Sequence, residues 1–428
     1  MKVSAILSNI SNGGYADILI SLYGKSCLTS AQDRCISLCR SFLELYGDLE
    51  AAFISVPGRT EISGNHTDHN NGCVLAASVN IDILALAAAT DDDRVRIKSE
   101  GYREDAVSLN ELSPQKVRKN SSGAIIAGVA DYFVKNGYAI GGFCACTTSN
   151  VASGSGLSSS AAFEVTVANI FNYYYNGMSI SPMTLAIAGK YAKNVFFGKP
   201  CGLMDQAACA HGGLLYIDFK SSEEPAFEHY DLNIGETAMF IVNVGASHAD
   251  LTDEYAAVPA EMRSCASLMG KETLRQCDED TFVARIPYMR GLVGDRAIMR
   301  ALHFFDENKR VIAQRDCIKN GDIDGFMMLV KQSGDSSYKY LQNVCVSGRT
   351  DEQALALALC ITERMGFVCR VHGGGFAGTI QAYVPYSCCE EYRAAIEKIF
   401  GVGSCNELAI RPYGAVAFDG DKIYECSR

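Results

Sequence analysis

Residues 57–72 read PGRTEISGNHTDHNNG and crowd Arg59, Glu61, Asn65, His66, Asp68 and His69 into one short stretch. Apart from Ile62 nothing in it is large and apolar, although it lies between the apolar runs 51–56 and 73–79. Polar segments of this density, held between buried-looking runs, suit binding better than packing, because binding groups are commonly carried on loops of a rigid scaffold. A solvated surface turn would share the composition, so the stretch needs partners elsewhere in the chain to acquire a chemistry.

Three further segments supply candidates. Gly154-Ser155-Gly156-Leu157-Ser158-Ser159-Ser160 runs into the helix-like stretch 161–171. Small residues let backbone N–H groups approach an anion, and the unpaired N–H groups and partial positive charge of a helix start favour it. The serine hydroxyls could donate to phosphate or ligate Mg2+, although a small-residue N-cap loop without a ligand would look similar. Gly373-Gly374-Gly375 is a second backbone-exposing turn, between two strand-like runs; a tight hairpin is the alternative. Asp205, shortly after Gly202, opens a helix-like segment, and a carboxylate there is favoured in its charged form.

Other apparent signatures fail on their context. Gly24-Lys25-Ser26 ends like a P-loop but has Leu19 where the first glycine is required. Gly373-x-Gly375-x-x-Gly378 fits the dinucleotide pattern, yet the strand-like 379–384 follows where a helix must begin. His66-x-x-His69 lacks a defined third metal ligand.

The elements that must position these groups follow from periodicity and turn signals. The run 17–48 reads as helix and a packing extension, 51–56, 73–89 and 94–98 as strands, and 91–93 as a turn. A helix is expected near 123–136 with Asn136-Gly137 as its stop, a strand at 142–147, and a helix from Ser181-Pro182 to about Lys193. Beyond a strand at 214–219, further strands are expected at 238–244, 367–371, 379–384, 406–411 and 414–418. Helices are expected over 249–268, 289–306, 308–319, 321–334, 351–365 and 389–400. Strands and helices intermixed without a βαβ repeat indicate an α+β fold in two lobes. At 428 residues the chain calls for two domains, cut most simply as 1–215, with a helical extension over about 1–50, and 216–428.

Bulk composition excludes several classes. A formal net charge of −11 argues against nucleic acid and anionic membranes as partners. The apolar stretch 73–90 is interrupted by Asn80 and Asp82, and the N-terminal apolar run is too short for a signal peptide. The 18 cysteines form no zinc or disulfide pattern and read as small buried hydrophobes in a reducing compartment, which points to the cytoplasm.

Together the motifs resemble the GHMP kinase family, from about residue 50 onward, and within it the members that phosphorylate the anomeric hydroxyl of galactose. The family's proline-glycine-arginine loop and Gly-Glu-His-Thr-Asp-Tyr-x-x-Gly pattern correspond to Gly58-Arg59 and 64–72. Its Gly-Leu-Ser-Ser-Ser-Ala-Ala motif is met in full at 156–162, and its third glycine-rich motif at 373–378. Cys201-Gly202-Leu203-Met204-Asp205-Gln206 resembles the segment holding the family's catalytic aspartate, and Asn243, His248 and Tyr255 fit a further stretch.

The resemblance implies a two-lobed GHMP fold with mixed and antiparallel sheets, an active site between the lobes, and a monomer that uses ATP and Mg2+. It makes Asp205 the base and Arg59 its partner. It gives sugar contacts to Asn65, His66, Asp68, Gly202 and Tyr255. The phosphates fall to Gly154, Ser155, Gly156, Leu157, Ser158, Ser159, Ser160, Gly374 and Gly375, with Ser160 also on the metal. This sequence departs from the family at Asn65, usually a glutamate that binds the sugar's 6-hydroxyl, and at Lys193, usually a glutamate that helps to hold Mg2+. His69 replaces a tyrosine. These departures keep open a kinase for another small sugar (N-acetylgalactosamine, arabinose or galacturonate) or a sugar-binding regulator without turnover.

Overall fold

Along the two longest strands, Ala52–Ser63 and Cys73–Ala89, side chains alternate between two cores. Phe53, Leu84, Leu86 and Ala88 enter one, while Ile54, Ile83, Ala85 and Ala87 enter the other, as the two-residue strand period requires. In the computed structural model, which describes residues 1–151, 156–199, 201–221, 225–245, 251–376 and 378–427, these strands centre a mixed sheet. Its order is Lys422–Glu425, Val416–Asp419, Ala52–Ser63, Cys73–Ala89, Phe143–Ser149, Arg94–Ser99, Asp105–Ser108. Leu214–Asp218 pairs with the start of Cys73–Ala89, and Ala226–Tyr230 pairs with Leu214–Asp218. Only Arg94–Ser99 and Phe143–Ser149 pair in parallel among the described strands.

Three helices, Val3–Ser11, Ala16–Tyr23 and Leu28–Tyr46, cover one face of this sheet. The expected single helical run is broken at Gly24, which ends the second helix with a positive φ of 85°. A buried cluster ties this layer down: Tyr23 donates to Asp82 Oδ2 at 2.6 Å, and Arg34 and Arg411 reach the same carboxylate at 3.0 and 3.5 Å. Helices Ser122–Lys135, Ser159–Asn176, Pro182–Tyr191 and Met204–His211 pack on the opposite face.

The second sheet is antiparallel, ordered Cys405–Leu408, Thr237–Asn243, Thr379–Pro385, Val368–His372. Helices Ala354–Arg364 and Cys389–Phe400 back it. Its other face brings Met239, Ile241, Tyr383 and Leu408 against Leu75, Ala77 and Val79, so the two lobes share a core. Helices Thr252–Leu268, Glu279–Val293 and Asp295–Asn320 build a further core beside the polar loop.

Two expectations change. A boundary at 215/216 falls inside Leu214–Asp218, and Val416–Asp419 returns to the first sheet beside Ala52–Ser63. The first lobe is therefore not one continuous segment. The polar stretch 57–72 is also not all loop: strand Ala52–Ser63 continues through Arg59 and Glu61, and the turn proper begins at Gly64.

Candidate active site

Arg59 reaches the site because its strand is pinned on both sides: by Cys73–Ala89, and by the loop before helix Ser159–Asn176, whose Leu157 carbonyl accepts from Arg59 N at 3.1 Å. Its Nε donates to Asp205 Oδ1 at 2.8 Å, and Nη2 is 2.8 Å from the same oxygen. Nη1 donates to the Gly156 carbonyl. Asp205 lies in the first turn of Met204–His211. The desolvation of its surroundings would raise its carboxyl; Arg59, with help from Ser158 and Lys193, outweighs this and holds it below the usual aspartate range. The side chain is still 38 % exposed, so a ligand can reach it.

The loop before helix Ser159–Asn176 ends in an unusual backbone. Ser158, the N-cap of helix Ser159–Asn176, has φ 61° and directs its side chain to Asp205. Gly156 rests over His372, whose Nε2 accepts from Glu61 N at 3.1 Å while Nδ1 faces Thr379 Oγ1 at 3.0 Å. A backbone N–H can only donate, so Nε2 is bare and the proton is on Nδ1. Burial first, then Arg59 and Arg370, push this imidazole well below the usual histidine range. Gly154 and Ser155 lie outside the described residues, as does His248.

Beyond Arg59 the chain turns at Gly64, with φ +97°; a β-carbon there would come within 2.7 Å of the Cys73 carbonyl. Glu307, on helix Asp295–Asn320, accepts from Gly64 N at 3.0 Å and Ser333 Oγ at 2.6 Å and pairs with Arg310. His66 Nε2 meets the Gly374 carbonyl at 3.0 Å, and Tyr255 donates to the Gly375 carbonyl at 2.6 Å. The turn 373–375 thus closes over the polar loop. Asp68 lies against Gly202, where a β-carbon would fall on Asp68 Oδ2. The geometry therefore joins Arg59, Asp205, Gly156, Leu157 and Ser158, and places Asp68 and Gly202 beside them.

Asn65 departs from its expected place facing a sugar. It is fully buried, its Nδ2 donating to Glu61 Oε1 at 2.9 Å and the Gly373 carbonyl at 2.6 Å, while Oδ1 accepts from Asn343 Nδ2 at 2.7 Å. Glu61 in turn pairs with Arg370 at 2.6 Å. This amide has its donors and acceptor committed to joining three segments. Gly374 and Gly375 likewise present carbonyls already engaged by His66 and Tyr255.

With the geometry in place, two family patterns match the chain: "GHMP kinases N terminal domain" over residues 124–213 and "Galactokinase galactose-binding signature" over 40–89. The chain carries the N-terminal domain of the GHMP kinase family. It is 27 % identical to a galactokinase of Enterococcus faecalis over 369 residues, 84 % of this chain and 92 % of that protein. A Lactococcus lactis galactokinase crystallised with galactose superposes with a TM-score of 0.77 at 24 % identity, covering 88 % of this chain and 97 % of that one. Methanococcus jannaschii mevalonate kinase superposes at 0.59 with 15 % identity, over 84 % and 98 % of the two chains.

Ser160 does not fit the metal role expected of it. Its hydroxyl donates to Glu164 Oε1 at 2.8 Å and accepts from Lys193 Nζ at 2.7 Å, and Lys193 also pairs with Glu164 at 3.1 Å. Mg2+ needs oxygens at about 2.1 Å, and an ammonium already holds these two. Gln206 Nε2 occupies the other Glu164 oxygen at 2.7 Å.

The sequence gives no role to Glu164, Gln206, His372, Glu61 or Asn343, which the structure places around the site. Glu164 had a legible signal, a lone acid inside an apolar helix. The others are ordinary polar residues until the fold brings their partners.

Proposed function

We propose that this chain is an ATP-dependent galactokinase, transferring the γ-phosphoryl group of ATP to the anomeric hydroxyl of α-D-galactose. The Arg59–Asp205 pair, set beside the small-residue helix start, carries the reading. In the transfer the sugar oxygen bonds to the γ-phosphorus, the bond to the ADP oxygen breaks, and the hydroxyl proton passes to Asp205. Such transfer depends mainly on positioning and charge stabilisation. An aspartate kept ionised can orient the hydroxyl and accept its proton, while Arg59 fixes that carboxylate and adds positive charge where the phosphoryl group passes. Asp68, His66, Gly202 and Tyr255 are the proposed sugar contacts, and Gly154–Ser160 with Gly374 and Gly375 the proposed nucleotide side.

The test is ADP release by the purified chain over a panel of galactose, N-acetylgalactosamine, arabinose and galacturonate. Galactose-dependent release supports the proposal, and its absence removes it. A kinase for another of these sugars is one second reading, and the same panel decides it; Asn65, buried and committed to Glu61, Gly373 and Asn343, does not bear on the choice. Lys193 in place of a metal-holding glutamate supports the other, a sugar-binding protein without turnover, which calorimetry would reveal as sugar and ATP binding without ADP release. The proposal further has the chain act as a cytoplasmic monomer, checked by light scattering and cell fractionation; among the described residues no helix is long and apolar enough to cross a membrane.

A further inference from the structure

Helix Pro182–Tyr191 does not end regularly; it widens into a π-helical turn, Ala192–Phe197. Such widened turns are rare and recur at functional sites, because they re-aim side chains that a regular helix would point elsewhere. Here the turn carries Lys193. Gly128 of helix Ser122–Lys135 lies against it so closely that a β-carbon would come within 2.7 Å of Ala192 Cα. Asn194, the next residue, accepts from Cys201 N at 2.8 Å and so ties the turn to the approach to Asp205.

Lys193 is 13 % exposed, and its ammonium rests on Ser160 Oγ and Glu164 Oε1. Glu164 is itself immobilised, fully buried and held by Ser160 and Gln206. An ammonium has three N–H donors. Two have partners among the described residues, which leaves one for an incoming ligand at the start of helix Ser159–Asn176. The carboxylate fixes the lysine's position, and the partly enclosed stem means that little side-chain freedom remains to be lost when an anion arrives.

We propose that Lys193 is the cation this chain keeps for the phosphates of its nucleotide, in place of a metal ion held on Ser160 and a glutamate. The inference rests on the kinase reading of the site. Any metal travels with the nucleotide, and the protein's own grip on the phosphates does not run through it. Nucleotide affinity is therefore nearly independent of divalent cation.

The experiment is calorimetric titration of the full chain with β,γ-imido-ATP, once with excess Mg2+ and once with EDTA, on wild type, Lys193→Met and Lys193→Glu. Wild-type Kd is expected to change less than about fivefold between the buffers, since a fixed side-chain cation replaces one phosphate contact in both. Lys193→Met is expected to weaken binding at least about tenfold in EDTA, and Lys193→Glu to bind only with Mg2+, the carboxylate restoring an oxygen ligand. A larger wild-type loss in EDTA overturns the inference alone, and that arm needs no variant to fold. A folded wild type that binds nucleotide in neither buffer overturns it together with the kinase reading.

Discussion

Arg59 and Asp205 meet on a single oxygen: Nε and Nη2 both lie 2.8 Å from Oδ1. The guanidinium is 7 % exposed and the carboxylate 38 %, so the pair is anchored from the protein side and open on the other. The arginine is fixed twice more through Gly156, by its own side chain, and Leu157, by its backbone. The carboxylate therefore keeps one direction and one charge state.

Asp205→Asn preserves this shape and removes the proposed proton acceptor. Turnover is expected to fall by about 10²–10⁴-fold, the range for loss of a general base. The melting temperature should move by no more than a few degrees. A coupled ADP assay beside a thermal melt checks both; wild-type turnover would exclude the base role.

Gly202→Ala tests the sugar side. Its new methyl would meet Asp68 Oδ2, and the loop must shift by enough to reseat that carboxylate. With overpacking costing about 1–3 kcal/mol, KM for the sugar should rise roughly 5–100-fold, while KM for ATP changes little. Steady-state kinetics in both substrates separate the two; equal changes would place Gly202 outside the sugar contacts.

Asn65→Glu makes the residue match the commoner family pattern and is expected to harm the protein. It replaces an N–H donor with an acceptor facing Glu61 Oε1 and the Gly373 carbonyl. A buried unsatisfied group costs about 1–3 kcal/mol, more when charged, so the melting temperature should drop by several degrees. An unchanged or raised melting temperature would show that the amide is not structurally committed.

Acid should loosen the polar loop early. His66, His303 and His372 are all held below the usual histidine range, chiefly by burial, His66 down to about 4. Below pH 6.5 the unfolded chain takes up protons that the folded chain refuses. Stability is thus full above that value and falls as pH drops toward about 4, where His66 protonates in the folded chain too. For His66 alone this is about 3 kcal/mol. Urea midpoints measured from pH 7.5 to 4.5 should decline, with a smaller slope in His372→Gln; a flat series would contradict the buried neutral imidazoles.

How far the fold was legible depended on where polarity and burial agreed. Helix Cys389–Phe400 and strand Cys73–Ala89 were read within a residue of their ends, because their apolar periods are unbroken. Strand Ala52–Ser63 was cut at Val56, since Arg59, Glu61 and Ser63 look like loop residues until pairing with Cys73–Ala89 and bonds to Arg370 and Glu307 bury them. The break expected at Glu307 is really at Gly294, and Asp295–Asn320 is continuous; Glu307 is a buried helix residue whose bonds to Gly64 and Ser333 no local pattern announces. At the site, the glycine and serine motifs could be read because their spacing is itself the chemistry. The enclosure of Asn65 and the seating of Lys193 on Ser160 could not, because each depends on residues far away in sequence.

The return of Val416–Asp419 to the first sheet has a consequence for the order of assembly. The strand that carries Arg59 has Cys73–Ala89 on one side and Val416–Asp419 on the other. During synthesis the first partner emerges almost at once and the second only after more than three hundred further residues. Until then the Phe53–Ser55 flank of that strand is an unpaired edge, open to wrong partners. Contacts of such long separation also form slowly. The nascent chain is therefore exposed to aggregation along the same strand that carries Arg59.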